Sequence, residues 1–242
     1  MLIVIKRGIV IFVMGLLFIF IALAFSVRSA PVVSFHHENI RTVIVDPGHG
    51  LPDGGAVSKT GVTESPLNLA IALKLKEELT ERGYKVVLTR EGEDGLDKKK
   101  KTDMYKRLDI MTETPCDMFV SIHINKFTQS KYRGAEVLYS SNFVQSTLLA
   151  QLIMDKIKEI DPKVQTRSIK QAEKSLFLMK NATVPAVIVE CGFLSNAEET
   201  ELLTQSTYQA RIASAICDGI GEYYRNVEDY EKVNLIKSED LN

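Results

Sequence analysis

Apolar residues follow two different spacings along the chain. Short, mostly apolar stretches at Thr42–Asp46, Tyr84–Thr89, Met118–Ile124, Ala135–Tyr139 and Ala186–Glu190 are rich in Val and Ile and are bounded by Gly, Pro or charged residues. Such runs predict strands buried on both faces, because a strand with one wet face would alternate apolar and polar positions. Between them the spacing lengthens to three and four. Leu67, Ala70, Ile71, Leu75 and Leu79 line one face of a helix over Leu67–Arg82, and Gly83 stops it. Further helices are predicted at Asp103–Thr112, Val144–Ile160 and Gln205–Tyr224, the last with Ile212, Ala215, Ile216 and Ile220 on its buried side.

Strands separated by helices imply an α/β fold, a single domain whose mainly parallel, twisted sheet carries helices on both faces. In sheets of this kind, active groups gather at the carboxyl ends of strands. Asp46, His123 and Glu190 all fall at such ends.

A different pattern opens the chain. Lys6 and Arg7 precede an uncharged run from Gly8 to Val27, long enough as a helix to cross a ~30 Å hydrocarbon core. With only Arg28 soon after it, the charge asymmetry predicts an N-terminus in the cytoplasm and a domain delivered outside the membrane. Residues 1–30 thus read as a signal or membrane anchor, 31–41 as a linker containing His36 and His37, 42–226 as the catalytic domain and 227–242 as a loose charged tail.

Without the first 30 residues, the chain carries a net charge of −4, which argues against a nucleic-acid partner. The three cysteines, Cys116, Cys191 and Cys217, form neither a paired framework nor a Cys-x-x-Cys unit. Cys116 and Cys217 read as core residues.

The candidate chemistry sits where strands end. Asp46-Pro-Gly-His-Gly50 delivers the chain into a tight turn with His49 over the sheet edge, although a lone turn histidine reads more readily as one bonded to a carbonyl. Ser121-Ile-His-Ile-Asn125 places His123 inside an apolar strand, where an unpaired polar group costs on the order of 1–3 kcal/mol. Glu64, just before the helix opened by Pro66 and Leu67, reads alone as a helix-start acid, yet its carboxylate could swing over the same edge. Two imidazoles and a carboxylate are the donor set of a catalytic zinc that leaves one position for water. Glu190 ends an apolar strand, where burial raises a carboxyl group into the range useful for proton transfer, and it is the natural general base. Three other readings stay open on these residues. They are a cysteine hydrolase built on Cys191 and His123, a metal-independent glycan hydrolase using Glu64 and Glu190, and a non-catalytic, membrane-tethered wall-binding module.

Taken together, Asp46-Pro-Gly-His-Gly50, Asp53-Gly-Gly-Ala56, Gly61-Val-Thr-Glu64, Leu88-Thr-Arg90, Ser121-Ile-His-Ile-Asn125 and Val189-Glu-Cys-Gly-Phe-Leu-Ser-Asn196 resemble the zinc-dependent N-acetylmuramoyl-L-alanine amidases of type 3. The resemblance runs from about Thr42 to Tyr223. It implies that His49, Glu64 and His123 bind Zn2+, that Glu190 is the catalytic glutamate, and that Arg90 and Asn125 support the site or touch substrate. It also implies peptidoglycan as substrate, cut between N-acetylmuramic acid and L-alanine. Size, the membrane segment and the lack of wall-binding repeats are similar to those family members that act on spore-cortex peptidoglycan. For them, stem removal allows muramic lactam to form. The expected location is extracytoplasmic, in the developing spore envelope, with the polymer found through the anchor, the cleft or an accessory protein.

Overall fold

The computed structural model describes residues 40–160 and 168–239. The expected membrane segment at 1–30 and nearly all of the linker lie outside the described residues. Among the described residues, no helix is long and apolar enough to cross a membrane.

The chain runs β1 (Thr42–Pro47), α1 (Glu64–Glu81), β2 (Lys85–Leu88), α2 (Lys100–Glu113), β3 (Met118–Asn125) and β4 (Glu136–Tyr139). It continues with α3 (Gln145–Ile160), β5 (Lys170–Gln171), α4 (Phe177–Lys180), β6 (Ala186–Phe193), α5 (Ala197–Thr204) and α6 (Ser206–Glu239). The strands form one sheet in the order β2-β1-β3-β6-β4-β5. Pairing is parallel except between β4 and β6, which are antiparallel, so the sheet is mixed.

Both faces of the central strands are covered, which explains their unbroken apolar runs. Val43, Val45, Val120, Ile122, Val187 and Val189 join the larger core under α1, α3 and α6. The alternate residues Ile44, Phe119 and Ile188 pack on the other face against Met111 of α2 and Leu178 and Met179 of α4. This second face carries the chemistry. Asp46 is two residues beyond Ile44, Ser121 and His123 follow Phe119 at the same spacing, and Glu190 follows Ile188, so all four side chains share it.

Several boundaries differ from the sequence expectation. Helix α1 starts at Glu64 rather than after it, with Thr63 as an N-cap that makes no side-chain bond. Strand β6 runs on to Phe193, and the backbone of α6 stays helical to Glu239, through much of the stretch expected to be a loose tail. Neither β5, α4 nor α5 was expected. Cys217 is fully buried as expected, whereas Cys116 is only half-buried at the edge of the second core.

Candidate metal and catalytic site

The turn after β1 brings His49 to the sheet edge at a cost. His49 has φ +60°, a left-handed conformation disfavoured for a residue with a Cβ. The surrounding bonds over-determine it. Gly48 N–H donates to Ile122 O at 3.0 Å, Gly50 N–H to Asp53 O at 3.0 Å, and Arg107 Nη2 donates to His49 O. Position 48 must be glycine, because a Cβ there would stand 2.2 Å from the His123 ring. The two imidazoles therefore meet edge-on, with ring centroids 5.1 Å apart.

Glu64, in the first turn of α1, lies between them. Its Oε1 is 3.0 Å from His123 Nδ1 and its Oε2 is 3.2 Å from His49 Nε2. The carboxylate also accepts from Ala56 N–H at 2.8 Å, Asn68 Nδ2 at 3.0 Å and Ile124 N–H at 3.1 Å. Burial disfavours its charge, but hydrogen bonds from His123 and His49 outweigh burial and hold the acid well below the usual carboxylate range. For His123, burial opposes the charged form, and the bond to Glu64 with the nearby charges of Glu190, Glu64 and Asp46 overcomes it, raising its pKa.

His49, Glu64 and His123 each offer a ligand atom, and these atoms lie within 4.8 Å of one another. Two neutral imidazole nitrogens with one carboxylate oxygen suit a divalent transition metal, which would take the place of the proton shared in this cluster. Asp53 Oδ2 lies 3.1 Å from His49 Nδ1 and so fixes the ring from behind, the usual arrangement for a ligating histidine.

Glu190 faces the same space, a cavity of about 440 Å³ whose other walls include Met104, Leu176 and Phe177. Burial raises its pKa to about 7. The imidazoles of His123 and His49 oppose the shift, and the like charges of Glu64 and Glu136 add to it. Its Oε2 is buried and has no hydrogen-bond partner, an uncommon state for a carboxylate. Cys191, next in sequence, points to the opposite face into the larger core, and burial pushes its thiol up. A thiol so placed is a poor nucleophile.

Arg90 and Asn125 sit away from the cavity. Arg90 is buried, donating through Nε to Pro47 O at 3.0 Å and through Nη2 to Gly48 O and Ser65 O, both at 3.0 Å. It therefore braces the turn and helix that carry His49 and Glu64. Asn125 closes β3, its Oδ1 accepting from Lys126 N–H at 2.8 Å and its backbone O from Leu194 N–H at 2.9 Å.

Sequence reasoning missed the buried cluster beneath the site. Arg107 Nη1 pairs with Asp46 Oδ1 at 2.5 Å and its Nε with Asp103 Oδ2 at 2.6 Å. Asp46 also accepts from Thr89 Oγ1 and Ser121 Oγ, each at 2.6 Å. Burial alone would raise the Asp46 pKa, but Arg107 and the two hydroxyls lower it overall. The roles of Asp53 and Asn68 were missed as well. An acid four residues after a candidate ligand histidine, and an amide one turn after Glu64, were the available signals.

Comparison with known proteins agrees with this geometry. Residues 43–222 match the N-acetylmuramoyl-L-alanine amidase family. The germination-specific N-acetylmuramoyl-L-alanine amidase of Bacillus subtilis is 32% identical over 197 residues, covering 78% of this chain and 82% of that protein. The structure of the CwlD amidase from Clostridioides difficile in complex with the GerS lipoprotein superposes with a TM-score of 0.72 at 39% identity, covering 76% of this chain and 98% of that one. AmiC2 of Nostoc punctiforme, also an N-acetylmuramoyl-L-alanine amidase, gives a TM-score of 0.69 at 27% identity over 76% of this chain and 97% of its own. With the match spanning most of its length and its ligand-type residues converging at one sheet edge, this chain belongs to the N-acetylmuramoyl-L-alanine amidase family.

Proposed function

We propose that this protein is a zinc-dependent amidase that hydrolyses the bond between N-acetylmuramic acid and the L-alanine of the peptidoglycan stem, acting on spore cortex so that muramic lactam can form. The observation that carries the reading is the convergence of ligand atoms of His49, Glu64 and His123 within 4.8 Å, with Glu190 on the wall of the cavity that His49 and His123 also line. Bound there, zinc would supply Lewis acidity towards the scissile carbonyl and the attacking water. Glu190 accepts the proton of that water and returns it to the leaving alanine nitrogen, a role for which a pKa of about 7 is well matched. Arg90 and Asn125 act as supports, holding the turn, the start of α1 and the end of β3 in register.

The two-carboxylate glycan hydrolase needs, beside a protonated acid, a second carboxylate free to attack the sugar or to activate water. Both oxygens of Glu64 are already engaged, Oε1 by His123, Asn68 and Ile124 and Oε2 by His49 and Ala56, which disfavours it as a partner for Glu190 in that chemistry. An extracytoplasmic location, anchoring through residues 1–30 and help from an accessory lipoprotein complete the proposal. The last is supported by the complex in which the similar Clostridioides difficile amidase was solved.

The test is digestion of purified peptidoglycan with mass spectrometry of the products. Stem peptides headed by L-alanine should appear, vanish with a chelator and return with zinc. New reducing sugars insensitive to chelator would overturn the assignment.

A further inference from the structure

Resting on the amidase reading, we propose that Lys100 is a specificity-determining residue that binds a carboxylate of the stem peptide one residue beyond the scissile amide.

Lys100 lies on the wall of the catalytic cavity at the first residue of α2. Its Nζ is 3.0 Å from Asp53 Oδ2, the same oxygen that stands 3.1 Å from His49 Nδ1. The ammonium is thus two hydrogen-bond lengths from a candidate ligand ring. Its side chain is 71% exposed, so it can turn from Asp53 towards a bound anion without being dug out of the protein. An ammonium has three donors and Asp53 occupies one direction, which leaves capacity for a second acceptor.

Met104, Leu176 and Phe177 give the same cavity an apolar wall, suited to the methyl groups of lactate and L-alanine. Lys100 is the only lysine on the cavity wall among the described residues. Lys98–Lys101 also crowd positive charge at the positive end of the α2 dipole, where lysine weakens a helix. The next stem residue, reached within ~3.8 Å of backbone per residue, is acidic in peptidoglycan and carries its free carboxyl group as either carboxylate or carboxamide.

The experiment measures kcat/KM on two muramyl-peptide substrates differing only in that second-residue group, carboxylate or carboxamide, for the full protein and its Lys100→Met and Lys100→Glu variants. The wild type should prefer the carboxylate by about fivefold at low salt, the scale of one partly exposed ion pair, and less at high salt. Lys100→Met should bring the ratio near one and Lys100→Glu below one. A purely structural role through Asp53 would slow both substrates alike and leave the ratio intact, and that result overturns the assignment. So does a wild type without preference. If neither substrate is cut at its lactyl amide, the amidase reading itself falls, and this assignment with it.

Discussion

Replacing Arg107 with leucine should be among the most damaging single changes in the chain. The guanidinium is 2% exposed and pairs with an Asp46 carboxylate that is 1% exposed. Removing one partner of such a pair leaves a buried charge without compensation, which costs about 3–5 kcal/mol. For a chain of this size, that loss lowers Tm by roughly 6–20 °C. Calorimetry across pH tests the cause as well as the size. In the wild type, Asp46 has a folded pKa below its ordinary 3.8, so its contribution is fully present above pH 3.8 and is lost only as pH falls through the lower folded value. Without Arg107, burial acts unopposed by that cation and raises the Asp46 pKa, so the folded variant takes up a proton as pH drops from 7 towards 4. The gap in Tm should therefore be widest near pH 7 and narrow towards pH 4. A gap that is constant over that window, or below about 2 °C throughout, would refute the buried-pair argument.

Three further outcomes are expected. Glu190→Gln should keep bound metal, measured by mass spectrometry of the purified protein, while turnover falls roughly 10²–10⁴-fold; His49→Ala and His123→Ala should lose both, and equal metal loss in all three would show that the roles are not separate. Asp53→Asn should weaken metal affinity about 10–100-fold in a competition titration with a chromophoric chelator, since the anchor behind His49 is lost; unchanged affinity would show that the ring needs no such partner. Gly219→Ala would bring a Cβ within 2.6 Å of Ile153 Cα, forcing α6 and α3 apart, and denaturant unfolding should show a loss of about 1–3 kcal/mol.

The sequence revealed whatever rests on long, regular burial. The central strands are covered on both sides, so their apolar runs stood out, and the site residues at their ends could be read with them. Elements too short to show a period were invisible, such as the two residues of β5 and the four of α4. Helix α5 had a signal that went unused, an Asn196 whose side chain accepts from Glu199 N–H three residues on. Arg107 was hidden by its neighbours, because a charged helix normally reads as a solvated face, and only tertiary packing against Asp46 takes that side chain out of water. Arg90 was reached only through the family resemblance, because its burial under the His49 turn is a property of the folded loop rather than of its spacing.

Glu64 and Glu190 differ in how they are tied to the fold, and this bears on descent. Glu64 joins helix α1 to strand β3 and to the loop at Ala56 through bonds that serve folding independently of its proposed part in metal binding. A relative that abandoned catalysis would still be selected to keep it. Glu190 Oε2 has no such ties, so the folded chain holds this carboxylate less firmly than that of Glu64. On the proposed roles, loss of Glu190 with His49, Glu64 and His123 intact would mark the first inactive descendants among diverging copies of this gene.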